Sequence, residues 1–146
     1  MKLLVRSGQI EDVEIIVSKD PGIQRKILEW KLNNGEIIVA EHHTGVVGYL
    51  RVEYLWSKYP YIGLIKVDHE LRNQGIGRAL LSFAEEEFRR QGIAVLYSSS
   101  QVNEAEPQEW HRRMGFQECG IINGINEGEI GEVFFAKRLT SGLDKL

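Results

Sequence analysis

The stretch Arg72-Asn73-Gln74-Gly75-Ile76-Gly77 constrains this chain more than any other. An apolar, strand-like segment from Tyr61 to Val67 runs into it, and Arg78-Ala79-Leu80-Leu81 opens a long amphipathic helix pattern after it. A strand therefore feeds a glycine-rich turn, and the turn opens a helix. The first turn of a helix has backbone N–H groups without partners and a partial positive charge. Glycines at that point let a bulky anion come close to the backbone. Two readings follow: a grip for the phosphates of a cofactor, or a βα connection that needed flexible residues. Two glycines alone do not separate them, so the surroundings of the turn decide.

The chain of 146 residues suits one domain, residues 1–146, with enough length for a real core. Its net charge of -3 offers no general attraction to nucleic acid or to an anionic membrane. The start, Met1 to Arg6, has too short an apolar run for a signal peptide, and nothing later is expected to span a bilayer. Cys119 is the single cysteine, so there is no disulfide framework and no thiolate metal cluster. These features together favour the cytoplasm. Cys119 itself reads as a small, half-buried strand residue.

In chain order, Leu3-Leu4-Val5 reads as a first strand. Ser7 could cap a helix in which Ile10, Val13, Ile16 and Val17 fall at helical spacing. Asp20-Pro21 reads as the next helix start, a side-chain cap followed by proline. Ile23, Ile27, Leu28, Trp30 and Leu32 form its expected buried stripe, and Asn34-Gly35 its end. Glu36 to Glu41 and Val46 to Trp56 are strand-like and meet at His42-His43-Thr44-Gly45, where the adjacent histidines read as solvated turn residues. Val46, Gly48, Leu50, Val52, Tyr54 and Trp56 share one face of the second run.

After the glycine turn, the helix buries Ile76, Ala79, Leu80, Phe83, Ala84 and Phe88, with Glu85–Arg89 and Glu86–Arg90 pairs outside. Ile93 to Ser98 is a buried strand, parallel to the one before the helix because a crossover helix joins them. A polar stretch, Ser98 to Asn103, follows it. Pro107 starts a short helix carrying Trp110, His111 and Met114. Strands Phe116 to Ile122 and Ile130 to Arg138 finish the fold, and Thr140 to Leu146 read as a frayed tail. The expected order is β-α-α-β-β-β-α-β-α-β-β, an α/β fold with a mixed sheet and helices on its faces.

Three familiar motifs fail. The dinucleotide fingerprint needs a third glycine where Leu80 stands. A Walker-type loop needs Gly-Lys-Ser/Thr, and no Gly-Lys pair occurs. His69-Glu70-Leu71-Arg72-Asn73 begins like a zinc-protease helix but has Asn73 in place of the second histidine. No metal is implied.

The full constellation resembles the GNAT-type N-acetyltransferase superfamily. Val67, five residues before Arg72, stands where the family's central strand ends. Arg72-x-x-Gly75-x-Gly77 matches the family's Arg/Gln-x-x-Gly-x-Gly/Ala turn, and Asn103 follows the fifth strand as a family asparagine often does. Trp110-His111-x-x-x-Gly115-Phe116 matches the aromatic-Tyr-x-x-x-Gly-Phe segment with one change. The resemblance is strongest from Tyr61 to Phe116.

It implies a GNAT-like fold with splayed central strands and acetyl-coenzyme A as cosubstrate. The backbone N–H groups of Gln74, Gly75, Gly77 and Arg78 would cradle the pyrophosphate, with Ile76 in the same turn and Arg72 holding the turn or adding charge. Backbone groups of Ile65 and Val67 would bind the pantetheine amides, and Asn103 would contact the pantetheine or order a water. The implied chemistry is direct attack of a neutral amine on the thioester, with a proton donor for the departing sulfur. In much of the family that donor is a tyrosine; here the position is His111. A phenol has a reference pKa of about 10 and imidazole about 6.5, yet neutral imidazole still carries one N–H to donate. The alternative is an exposed helix residue, with water protonating the thiolate. The family often uses a glutamate on the central strands, or water relays, as base; Tyr61 sits near one such position but is a poor base at neutral pH, and Glu53 on the preceding strand is a candidate base or a solvent-facing residue. Glu118, Glu127, Glu129 and Glu132 would suit a cationic acceptor, or form a solvated acidic loop. Trp30, Trp56 and Trp110 read as pocket or core residues.

The leading expectation is an acetyl-coenzyme A-dependent N-acetyltransferase for a primary amine, on a small molecule or a protein. The alternative is a non-catalytic acyl-coenzyme A-binding module of the same fold. A nucleic-acid-binding domain is disfavoured by the charge, and a homodimer is plausible for a small domain of this kind.

Overall fold

The computed structural model describes residues 2–139. The expected tail, Thr140 to Leu146, lies outside the described residues. The elements are β1 (Leu4–Ser7), α1 (Val13–Lys19), α2 (Arg25–Asn33), β2 (Ile37–His42), β3 (Gly45–Leu55), β4 (Tyr59–Val67), α3 (Ile76–Arg90), β5 (Val95–Gln101), α4 (Ala105–Arg113), β6 (Gln117–Ile122) and β7 (Glu132–Arg138). This is the order expected from the sequence. The strands form a 7-stranded sheet in the order β1-β2-β3-β4-β5-β7-β6. The β1–β2, β2–β3, β5–β7 and β6–β7 ladders are antiparallel, and β4–β5 is parallel. Among the described residues, no helix is long and apolar enough to cross a membrane.

The residues fall into two compact units. The first comprises Met1–Glu53 and Leu64–Glu86. Its core joins Val13 and Ile16 of α1, Leu28 and Leu32 of α2, and Ile37, Val39 and Tyr49 of β2 and β3. Gly48 is adjacent to Tyr49 and so faces the other side of the sheet. A Cβ there would stand 3.1 Å from the Lys66 carbonyl oxygen and 3.4 Å from Ile76 and Leu80. Glycine at this position lets the first turns of α3 lie close against β3.

Several local expectations need correction in this unit. Ser7 belongs to β1, and a 3-10 turn at Ile10–Asp12 precedes α1, with Asp12 accepting the Gln9 N–H at 2.8 Å. Asp20-Pro21 does not start α2, which begins at Arg25. The Asp20 N–H instead closes α1 on the Ile16 carbonyl, and its buried carboxylate accepts from Arg51 Nε at 3.1 Å. In α2 the buried residues are Leu28, Lys31 and Leu32, whereas Ile27 and Trp30 are exposed. Lys31 can be buried because its ammonium meets Glu36 at 2.9 Å, Glu53 at 3.2 Å and the Val52 carbonyl at 2.6 Å.

The second unit comprises Tyr54–Gly63 and Glu87–Leu146. In it β7 lies between β5 and β6, and Leu96, Val133 and Phe135 are buried. Four expectations change here. Trp56 is not on the β3 face: it sits in the following turn at φ +53 and is 86% exposed. β5 runs on through Gln101, beyond its expected end at Ser98, so the first part of the polar stretch is strand, with Ser98 and Ser100 buried. β6 is an edge strand with every residue exposed, Cys119 included. β7 starts at Glu132, after a 3-10 turn at Glu127–Glu129. Outside α3, Arg90 pairs with Glu87, and Arg89 Nε donates to the Leu139 carbonyl at 2.9 Å.

The corrected α2 stripe has a direct consequence. Leu28→Ala removes a fully buried side chain and should cost about 2–5 kcal/mol, whereas Trp30→Ala should stay within about 0.5 kcal/mol. Chemical denaturation of the two variants measures both.

Candidate functional site

The glycine turn places its groups as anion binding requires. Asn73 and Gly75 have φ of +64 and +85. The Gly75 carbonyl accepts the Ala79 N–H at 3.0 Å, which makes Gly75 the residue that caps α3. The N–H groups of Gly75, Ile76, Gly77 and Arg78 therefore precede the first carbonyl they could reach within the helix. The missing Cβ of Gly75 would have no heavy atom within 4 Å, so the approach is open. α3 is 15 residues long, ample for a developed dipole. Donors, room and field all fit a phosphate group of a cosubstrate at this turn.

Arg72 Nε donates to the Val67 carbonyl at 3.4 Å and so ties the turn to the end of β4. The Asp68 N–H donates to the Val47 carbonyl of β3 at 2.8 Å. Backbone groups of alternate residues in an extended strand point to opposite edges. Lys66 therefore shares the direction of Asp68, and Ile65 and Val67 direct their N–H and C=O toward the edge away from β3. That edge orientation is what contact with extended amides would require.

His111 is not the exposed helix residue of the alternative reading; it is 3% exposed. Its Nδ1 lies 2.7 Å from the Pro107 carbonyl, and its Nε2 lies 2.7 Å from Ser98 Oγ. A carbonyl oxygen only accepts, so Nδ1 carries the proton. In the neutral ring Nε2 is then an acceptor, and the Ser98 hydroxyl donates to it. The ring stacks on Phe135 at 4.5 Å and 2°, with Trp110 and Phe116 edge-on at 5.3 Å. Burial holds the imidazole below its ordinary pKa, against smaller raising effects from the Pro107 carbonyl and the Glu132 charge. His111 is thus a neutral strut between α4 and β5, with both nitrogens engaged inside the protein.

A second polar chain runs across the neighbouring face. Ser99 follows Ser98 and so points to the opposite side of β5. Its hydroxyl donates to Glu132 Oε2 at 2.6 Å, and Tyr61 Oη lies 2.6 Å from Ser99 Oγ. Asn126 Nδ2 donates to Glu132 Oε1 at 2.9 Å and approaches the Gly131 carbonyl at 3.5 Å. The Tyr61 ring stacks on Phe134 at 5.7 Å. Tyr61, Ser99, Asn126 and Glu132 are all half-buried.

The remaining candidates fall elsewhere. Glu53 is held by Lys31 and Arg51 in an ion cluster. Asn103 is exposed in the turn between β5 and α4. Glu118 pairs with Arg112 at 2.7 Å, and Glu127 and Glu129 are exposed in the loop before β7. The sequence reading missed Ser98 and Ser99 as partners. Only their alternation within an extended run, one toward each face, could have separated them.

The strut has a pH signature. Folded His111 binds a proton less readily than it does in the unfolded chain, so its contribution to stability is intact above about pH 6.5 and is lost as pH falls below that value. His111→Phe removes this titration and strands the buried Ser98 hydroxyl, at a cost of about 1–3 kcal/mol. Thermal melts should show a lower Tm at pH 7.5 and a flatter dependence of Tm on pH between about 6.5 and 5.

The model of the Acetyltransferase (GNAT) domain matches residues 33–118, more than half of the chain. No curated protein matches the chain in sequence. Ard1 from Thermoplasma volcanium is 16% identical, with a TM-score of 0.86 over 97% of this chain and 100% of that one. The ribosomal-protein-S18-alanine N-acetyltransferase from Escherichia coli is 17% identical, with a TM-score of 0.81 over 99% of each chain. A Bacillus anthracis protein solved in complex with acetyl coenzyme A is 21% identical, with a TM-score of 0.64 over 70% of this chain and 61% of that one. At these identities the structural likenesses show the fold, and the matched domain model shows the family: this chain belongs to the GNAT acetyltransferases.

Proposed function

We propose that this protein is an acetyl-coenzyme A-dependent N-acetyltransferase that acts on a primary amine by direct attack. The observation that carries the reading is the turn at Asn73 to Arg78, which joins open space, helix-terminal N–H groups and left-handed backbone. Gln74, Gly75, Ile76, Gly77 and Arg78 hold the pyrophosphate, and Arg72 keeps the turn against the end of β4. Ile65 and Val67 offer backbone groups to the pantetheine amides. Bound acetyl-coenzyme A supplies an activated thioester. The protein orients it and receives an amine that must be neutral to attack.

In this reading His111 positions α4 on β5 rather than protonating the thiolate. Its Nδ1–H is directed at Pro107 and its Nε2 lone pair is used by Ser98. The same engagement favours a second reading, a non-catalytic acyl-coenzyme A-binding module. The two separate in a thiol-release assay over an alanine-first peptide, a lysine-bearing peptide and a polyamine. The alanine-first peptide is included because the Escherichia coli neighbour acts on an alanine of a ribosomal protein. Acceptor-dependent thiol release supports the enzyme; coenzyme binding without turnover supports the module.

The cofactor assignment has its own test. Gly77→Glu puts a carboxylate into the first turn of α3 and should raise the Kd for acetyl-coenzyme A at least about a hundredfold, about 2.7 kcal/mol, in calorimetry. Retained affinity in the folded variant would overturn the pyrophosphate site.

A further inference from the structure

We infer that Lys19 and Lys66 are positioning residues: with Asp68 they clamp the end of β4, so that Ile65 and Val67 meet the pantetheine arm as a rigid edge. The inference rests on the acetyltransferase reading and adds what holds the strand that receives the coenzyme. Backbone groups bind an extended ligand tightly only if they are already ordered, because ordering them on binding costs affinity. β4 ends at Val67, and the chain then leaves the sheet through a 3-10 turn at His69–Leu71. A strand end that runs into an irregular segment is prone to open locally.

That end is anchored three times. The Asp68 N–H donates to the Val47 carbonyl of β3 at 2.8 Å, Lys19 Nζ donates to Asp68 Oδ1 at 2.6 Å, and Lys66 Nζ donates to the Lys19 carbonyl at 2.8 Å. Lys19 is the last residue of α1, so its carbonyl is one that a helix leaves without an internal partner, and an ammonium suits it. The two lysine bonds are reciprocal. The side chain of Lys19 reaches Asp68, and the side chain of Lys66 reaches the main chain of Lys19. Together they grip the residues on either side of Val67. The Lys19 side chain is 14% exposed and that of Asp68 33%, so much of the water that weakens surface ion pairs is excluded. The residue after Lys19 is Asp20, which accepts from Arg51 of β3 at 3.1 Å. α1 is thus fixed to the sheet at the point from which the clamp acts.

The clamp takes up Lys66 and Asp68 and leaves the N–H groups of Ile65 and Val67 on the edge away from β3. The start of α3 has a separate anchorage. Ile76 and Leu80 are buried, and a Cβ at Gly48 of β3 would stand 3.4 Å from each. Releasing the clamp therefore loosens the strand end while the first turns of α3, which carry the phosphate-facing N–H groups, stay in place.

The test uses the full chain and acetyl-coenzyme A. Lys19→Met should raise the Kd about tenfold in calorimetry, and Lys66→Met about threefold. Lys19→Arg keeps a cation within reach of Asp68 and should stay within about threefold of the wild type. Main-chain amide resonances of the ligand-saturated proteins locate the loss. In Lys19→Met the coenzyme-induced shifts of Gly75 and Gly77 should match the wild type, whereas those of Ile65 and Val67 should shrink. A merely structural role would not divide the four amides in this way. If Lys19→Met does not fold, Lys66→Met, whose side chain is exposed, decides by the same two readouts. Unchanged affinity, or equal changes at all four amides, would overturn the clamp and leave the acetyltransferase reading intact. A wild type that binds no acetyl-coenzyme A would overturn both.

Discussion

The parallel pairing of β4 with β5 at Tyr61 and Tyr97 governs the organisation of the chain. Antiparallel neighbours can be joined by a short turn, but parallel neighbours need a crossover, and here α3 supplies it. The start of that helix must then follow the end of β4 within a few residues. Helix-terminal N–H groups are thereby delivered beside the last residues of a strand. Every feature of the turn from Asn73 to Arg78 answers to this arrangement: left-handed backbone to reverse direction, glycine to leave space, and Arg72 to hold the strand end. The exposed helix-terminal N–H groups are a consequence of topology, and Gly75 leaves space beside them.

The large-scale order was legible because it rests on periodicity and punctuation, which are local. Strand, turn and long helix around Gly75 and Gly77 could be read directly, as could the crossover that makes β5 parallel. What was not legible depends on partners far away in sequence. Asp20-Pro21 has the chemistry of a helix start, yet Arg51, 31 residues on, takes its carboxylate. Lys31 breaks the apolar stripe of α2 and is buried all the same, because Glu36, Glu53 and the Val52 carbonyl meet it. Trp30 and Trp56 look like core residues by type, and both are exposed. Propensity and residue type describe the chain alone, whereas tertiary pairing decides these cases.

The site shows the same division. The shape of the glycine turn was readable from spacing, since glycine marks where left-handed backbone and open space occur. The hydrogen bonding on β5 was not. Ser98-Ser99-Ser100 reads as the start of a polar stretch at a strand's end, but all three lie within the strand and their hydroxyls serve separate purposes. Ser98 meets His111 inside the unit, and Ser99 meets Glu132 on the other face. His111 places a flat ring between Phe135 and the backbone of its own helix.

The adjacency of Ser98 and Ser99 also makes β5 a ruler. A slip of one residue against β7 would turn every β5 side chain to the opposite face, exchanging the strut to α4 with the link to Glu132. Substitutions along this strand can be judged singly, but an insertion or deletion within Val95–Gln101 cannot be absorbed there. The connections on either side, residues 91–94 and 102–104, carry no such alternation. The strand thus fixes spacing as well as identity, and it does so with two of the smallest polar side chains.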